Sequence, residues 1–288
     1  MNNINKEICE ACGTEMKDWD LTSCCTLSLC PDCGHIKRDM ARCNAGAREH
    51  AWGGSGFFDD IRTNLTYNRL NGLIKGKQSL KILEIGFGAG KLLTKFLKTG
   101  HQVYGVDAEM LEINVNEDLQ KNGNLIYNTF EDAELPESEF DVIYGIHVIE
   151  HVVDPAHVFA KCSRLLKENG FAYFLTPNSQ SKGLRIFKEN WWNLEDPTHI
   201  RFFSAGSAGI MLETAGFKNV RTAIPVWDSM TLEINSFLRG FSGDSKEHGV
   251  MGKSFTKVID ALGLPVSLLT RMANKQISPT LEIIASGK

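Results

Sequence analysis

The stretch Leu83-Glu84-Ile85-Gly86-Phe87-Gly88-Ala89-Gly90 decides the fold of this chain. The apolar run Leu80-Lys81-Ile82-Leu83 leads into it, and the helix-compatible run Lys91-Leu92-Leu93-Thr94-Lys95-Phe96-Leu97 follows. That order is strand, glycine-rich turn, helix. Glycines let the backbone turn sharply and let a ligand come close to the main chain. The helix beginning there points unpaired N–H groups and a positive dipole end at whatever is bound. Dinucleotide enzymes carry a related loop with the spacing G-x-G-x-x-G. Here the spacing is G-x-G-x-G (Gly86, Gly88, Gly90), and an acid, Glu84, stands two residues before the first glycine. A second strand, Gln102-Val103-Tyr104-Gly105-Val106, ends in Asp107, where a carboxylate can accept hydrogen bonds from both ribose hydroxyls.

Strand and helix patterns alternate after this point, which calls for an α/β fold with a parallel sheet. Strands are expected near 80–86, 102–107, 124–128, 140–147, 170–176, 217–225 and 279–286. Two insertions, 178–203 and 226–278, fall toward the ligand-binding end of such a sheet and are expected to shape an acceptor pocket. The first carries Trp191, Trp192, Phe202 and Phe203, which either stack on an acceptor or pack in a core. The second carries an apolar helical run, Phe255–Met272, with a break expected at Gly263-Leu264-Pro265; a pocket lid or dimer contact suits it better than a membrane surface, because it has few basic residues.

Three more blocks follow the glycine loop in order: Phe130-Glu131-Asp132-Ala133-Glu134-Leu135-Pro136, then Phe140–Pro155 with His147-Val148-Ile149-Glu150-His151 inside it, then Leu165-Leu166-Lys167-Glu168-Asn169-Gly170-Phe171. Together with the loop and Asp107 they resemble the class I S-adenosylmethionine-dependent methyltransferases. The resemblance implies a Rossmann-like sheet of seven strands and S-adenosylmethionine as cofactor. It implies Gly86, Gly88 and Gly90 as the cofactor loop, Glu84 on a loop amide or the methionine ammonium, Asp107 on the ribose, and Asp132 on the adenine amino group with Ala133 beside it. In this fold the end of the fourth strand faces the transferred methyl group. His147, with His199 from the first insertion, is therefore a candidate general base; Glu150 and His151 are read as capping the following helix. Ubiquinone-pathway O-methyltransferases and small-RNA 2′-O-methyltransferases carry E-x-x-E-H there. This chain has His147 in place of the first acid, which disfavours a second divalent metal.

Seven of the eight cysteines lie in the first 43 residues. Cys9-Glu10-Ala11-Cys12-Gly13 and Cys30-Pro31-Asp32-Cys33-Gly34 are two C-x-x-C-G knuckles, and four thiolates so spaced can surround Zn²⁺ tetrahedrally. Four sulfurs leave no open position, so the ion is expected to be structural. Cys24, Cys25 and Cys43 are read as small hydrophobes, with replacement of a ligand as the alternative, and Cys162 as core. The expected organisation is a zinc-ribbon module (1–45), a linker and cofactor lid (46–79, with Phe57, Phe58, Tyr67 and Arg69 as lid candidates) and the methyltransferase domain (80–288).

The net charge is −4, which leaves no electrostatic footprint for nucleic acid. No apolar run reaches the length of a membrane span, and the polar N-terminus has no signal-peptide core; a cytoplasmic enzyme is expected. The leading expectation is methyl transfer to a small molecule, a hydroxyl or a sugar nucleotide in secondary or cell-surface metabolism. The rivals are a zinc-ribbon RNA methyltransferase gripping RNA through Lys37, Arg38, Arg42 and Arg48, and a non-catalytic cofactor-binding or zinc-scaffold protein. The oligomeric state is open, with a dimer among the options.

Overall fold

Each of the seven segments expected as strands contains one. The structure, a computed structural model, describes residues 7–44, 56–108, 114–242 and 253–287. Arg48 and the Trp52-Gly53-Gly54-Ser55 cluster lie outside them, as do the side chains of Phe57 and Phe58. In chain order the elements are β1 (Lys17–Thr22), β2 (Cys25–Leu29), β3 (Ile36–Lys37), α1 (Gly56–Ile74), β4 (Lys81–Ile85), α2 (Lys91–Lys98), β5 (Gln102–Asp107), α3 (Glu117–Asn122), β6 (Asn124–Tyr127), β7 (Phe140–Ile146), α4 (Pro155–Leu165), β8 (Leu166–Pro177), α5 (Lys182–Phe187), β9 (Arg201–Phe202), α6 (Ala205–Thr214), β10 (Asn219–Ala223), α7 (Leu232–Ser242), α8 (Lys253–Ala273) and β11 (Thr280–Ser286).

The chain divides into two compact units, neither continuous in sequence. One comprises Met1–Asp59, Thr176–Ile210 and Ala223–Leu281; the other comprises Asp60–Leu175, Met211–Thr222 and Glu282–Lys288. The seven-stranded sheet has the order β10-β11-β8-β7-β4-β5-β6. Strands β6, β5, β4, β7 and β8 are parallel neighbours. Parallel strands are covered on both faces and read as near-continuous apolar runs; accordingly four of the five residues of β4 are buried. The order reverses between β4 and β7, and the crevice outside the carboxyl ends of those two strands is where an open α/β sheet binds ligands. Helix α2 buries Leu92, Leu93 and Phe96 along one stripe. On α1, Tyr67 meets the Phe96 ring at 5.1 Å, and Arg69 grips Glu282 of β11 with two bonds of 2.7 Å. These two lid candidates are thus engaged with the second unit itself.

In the first unit β1, β2, β3 and β9 form an antiparallel sheet. Its fourth strand comes from the 178–203 segment. Trp191 and Phe202 are fully buried in one core with Leu27, Ile36 and Leu184, their rings 5.4 Å apart, and Phe203 is buried too. Of the four aromatics expected to stack or pack, these three pack. Arg38 is buried and donates to the carbonyls of Cys43, Leu194 and Asp196 at 2.8–3.0 Å, stapling the sheet to that segment.

Three expectations are corrected. Cys25 and Cys43 are joined as a disulfide, not merely packed as small hydrophobes. Helix α8 continues through Gly263-Leu264-Pro265, and just beyond the proline its inner face is held to Glu233 by Ser267 and Arg271, at 2.8 Å each. The basic face of the N-terminal module is consumed among the described residues: Lys37 pairs with Glu7 at 2.9 Å, Arg42 with Asp18 at 2.7 Å, and Arg38 is buried. No helix among the described residues is long and apolar enough to cross a membrane.

Candidate functional site

Gly86, Gly88 and Gly90 all have positive φ (71°, 51° and 70°), the left-handed region that glycine enters without strain. A Cβ on Gly86 would also stand 2.5 Å from Val148 Cγ2, and one on Gly90 would collide with Leu119. The loop is fixed by its own main chain. Gly86 N–H donates to Val106 O at 2.7 Å and Gly90 N–H to Phe87 O at 2.8 Å. The Gly88 amide donates to Asp107 Oδ2 at 2.7 Å. The acid at the end of β5 therefore ties the glycine loop to the neighbouring strand. Burial pushes the Asp107 carboxyl above its ordinary pKa, and the Gly88 bond counters it.

Glu84 is buried one strand over, beside Tyr144 in the β4–β7 register, and accepts the Tyr144 hydroxyl at 2.9 Å. Burial raises its pKa to about 8, against the Tyr144 bond, and the nearby Asp107 charge adds to the rise. Two carboxyl groups at the ends of adjacent strands, both displaced upward, form a site that favours a positively charged group.

Asp132 is exposed and accepts the Thr129 hydroxyl at 2.8 Å; Ala133 beside it is buried. One organiser of this loop was missed in the sequence. Lys161, on the buried face of α4, donates to the carbonyls of Phe130, Glu131 and Ala133 at 2.7, 3.1 and 2.6 Å. A lysine among Val158, Cys162 and Leu165 on one helical face was the available signal.

His147 ends β7 with φ 54°, a conformation that costs a non-glycine residue energy and clusters at functional sites. Its amide donates to Leu175 O at 2.8 Å, and its Nδ1 stands 3.3 Å from Oε1 of the fully buried Glu150. Helix α4 is capped by Asp154, which accepts from the His157 amide at 3.0 Å with Pro155 in the first turn. This corrects the reading of Glu150 and His151 as caps. His199 belongs to the other unit. There it is buried, with Nδ1 2.7 Å from Asn193 O and its ring edge-on to Phe202.

The four knuckle cysteines converge in the first unit, all their sulfurs within 4.8 Å of one another. Cys9 and Cys33 sulfurs are 3.6 Å apart, Cys12 and Cys30 sulfurs 3.4 Å. Tetrahedral ligands at a Zn–S distance of about 2.3 Å would be about 3.7 Å apart, so the set fits such an ion. The knuckles are alike: Gly13 N–H bonds Cys9 O at 2.9 Å, Gly34 N–H bonds Cys30 O at 3.1 Å, and both glycines have φ near 75°. Between the first two ligands, Glu10 accepts from Arg201 Nε at 2.6 Å and lies 2.8 Å from His35 Nε2. Burial opposes its ionisation, but His35 and Arg201 outweigh that and hold its carboxyl at about 2.

A family model described as a methyltransferase domain matches residues 58–222. A ubiquinone biosynthesis O-methyltransferase of Mesorhizobium japonicum is 34% identical over 113 residues, 38% of this chain and 45% of that protein. The chain spans about half the length of the curated relatives it matches. Among solved structures, a phosphoethanolamine N-methyltransferase 2 of Haemonchus contortus in complex with S-adenosylhomocysteine aligns with a TM-score of 0.55 at 18% identity, over 78% of this chain and 53% of that one. The [4+2]-cyclase SpnF aligns with a TM-score of 0.52 at 12% identity, over 78% and 81%. These likenesses are of fold; one fold carries different chemistry. With the family model spanning more than half its length, this chain belongs to the methyltransferase-domain family, the class I S-adenosylmethionine-dependent methyltransferases.

Proposed function

We propose that this chain transfers a methyl group from S-adenosylmethionine to a hydroxyl on a small molecule. The observation that carries the reading is the Gly88–Asp107 bond beside three glycines of positive φ. In this reading Asp107 accepts from the ribose hydroxyls, the loop amides approach the amino-acid end, and Glu84 faces the ammonium. Asp132 takes the adenine amino group, with Ala133 against the ring and Lys161 holding the loop. When bound, S-adenosylmethionine supplies an activated methyl group on a sulfonium. The protein then has to align the acceptor oxygen in line with it and exclude water. His147, held beside Glu150, takes the proton of the acceptor hydroxyl as the oxygen gains the methyl group. His199 is the second candidate base.

The names of the O-methyltransferase relatives support a hydroxyl acceptor. A sugar nucleotide remains the preferred test class, with residues 178–203 and 226–278 supplying its recognition. Cys9, Cys12, Cys30 and Cys33 hold a structural Zn²⁺, which would supply folding energy to the module. The RNA alternative is weakened by the internal pairing of Lys37, Arg38 and Arg42.

Calorimetric titration of the zinc-loaded protein with S-adenosylhomocysteine, alongside Asp107→Ala, tests the reading. Binding that the substitution weakens supports it; no binding to the folded protein removes it.

A further inference from the structure

Helix α8 has its polar and apolar faces reversed. Ser267 and Arg271 point inward, Ser267 Oγ donating to Glu233 Oε2 at 2.8 Å and Arg271 gripping both Glu233 oxygens at 2.8 and 2.6 Å. Arg271, fully buried, also donates to the carbonyls of Val226, Asp228 and Ser229. Gly263 lets α8 approach α7, since a Cβ there would meet Ile234 at 2.6 Å. The outward face is apolar. Val258, Leu262, Val266, Leu269 and Met272 are each more than half exposed, and so are Phe237 and Phe241 on α7, their rings 4.9 Å apart. No charged residue falls among the exposed positions described between Val258 and Met272.

We propose that this α7–α8 face is covered by the same face of a second copy of the chain, giving a two-fold dimer with helices packed against helices. Three observations select that occupant. The outward positions Val258, Leu262, Pro265, Leu269 and Met272 follow the 4-3-4-3 spacing of a helix–helix seam, in which each side chain enters a hole on the facing helix. The seven exposed apolar side chains on α7 and α8 offer roughly 800 Å², the area each partner contributes to a standard specific interface and more than the largest apolar patch of most monomers. Arg271, the cation of α8 among the side chains described, is spent on the interior and adds nothing to a basic rim of the kind with which surface helices hold anionic lipid. Helical hairpins joined through such seams form a four-helix arrangement.

Sedimentation equilibrium of the full zinc-loaded chain tests this, with the double variant Leu262→Glu/Leu269→Glu beside it. The expected result is twice the 32.0 kDa of one chain for the wild type and a single chain for the variant, with unchanged circular dichroism. A wild type that sediments as one chain at micromolar concentration overturns the proposal; if it instead co-sediments with neutral phosphatidylcholine vesicles and the variant does not, the face belongs to a membrane surface. Should the double variant fail to fold, Val266→Cys in a Cys24→Ser background decides. It adjoins Pro265, the middle position of the seam, and lies close to its own counterpart across the two-fold, so mild oxidation is expected to yield a covalent dimer, and its absence overturns the proposal.

Discussion

Arg201 Nε donates to Glu10 Oε1 at 2.6 Å, so the fourth strand of the N-terminal sheet grips the first cysteine knuckle across 191 residues of chain. Glu10 sits between two proposed zinc ligands, and its charge is held by Arg201 and His35. Replacing Arg201 by Met leaves that carboxylate with one of its two partners, a loss of roughly 2 kcal/mol for a part-buried pair. The expected outcome is a lower Tm and faster zinc release to a chelator, followed with a colorimetric zinc indicator. Zinc retention equal to wild type would contradict this.

Asp107 organises the cofactor loop through Gly88 and is proposed to hold the ribose. Asp107→Ala removes charge-assisted hydrogen bonds worth about 1.5–3 kcal/mol, so S-adenosylhomocysteine affinity is expected to fall roughly 10–100-fold in calorimetry.

Gly86→Ala places a methyl group at φ 71° and against Val148. Strain and overlap each cost about 1–3 kcal/mol, and the loop is expected to lose cofactor affinity before the sheet loses stability. Equal affinity of variant and wild type would show that the loop relaxes freely.

Glu84 has a folded pKa of about 8 against an ordinary 4.5. The folded state therefore binds the proton more tightly than the unfolded state. Its stabilising contribution is fully present below pH 4.5 and is lost as pH rises through 8. Cofactor-free protein is expected to show a falling Tm across that window, and Glu84→Gln to flatten the fall. Bound S-adenosylhomocysteine, whose ammonium would face Glu84, is expected to flatten it as well. A slope unchanged in Glu84→Gln would assign the titration to another group.

The Cys25–Cys43 disulfide closes a loop of 18 residues. In the chain-entropy description such a crosslink contributes about 3 kcal/mol. Cys43→Ser is expected to lower Tm accordingly. Mass spectrometry after alkylation under denaturing, non-reducing, metal-free conditions is expected to find Cys25 and Cys43 unlabelled and Cys24 labelled.

The sequence by itself determined the sheet and the glycine turn tied to Asp107. Strand periodicity, glycine spacing and a strand-end acid are local signals, and parallel strands buried on both faces admit few readings. The two knuckles were legible for the same reason, since four thiolates and two glycines encode their turns within five residues each. Tertiary structure alone decided which distant groups meet. Arg201 is one residue of the 178–203 insertion until β9 joins β3 and brings it to Glu10. Lys161 finds its partners only when α4 docks under the Phe130–Ala133 loop. The basic run Lys37–Arg42 reads as a nucleic-acid face until Glu7, Asp18 and the backbone of the 178–203 segment take up its charges. Helix α8 reads as broken at Gly263-Leu264-Pro265 until Glu233 and three carbonyls claim its polar face. Local patterning specifies the conformation of each segment, but the partner of a charge depends on which segments pack together, and no spacing rule within one segment contains that information.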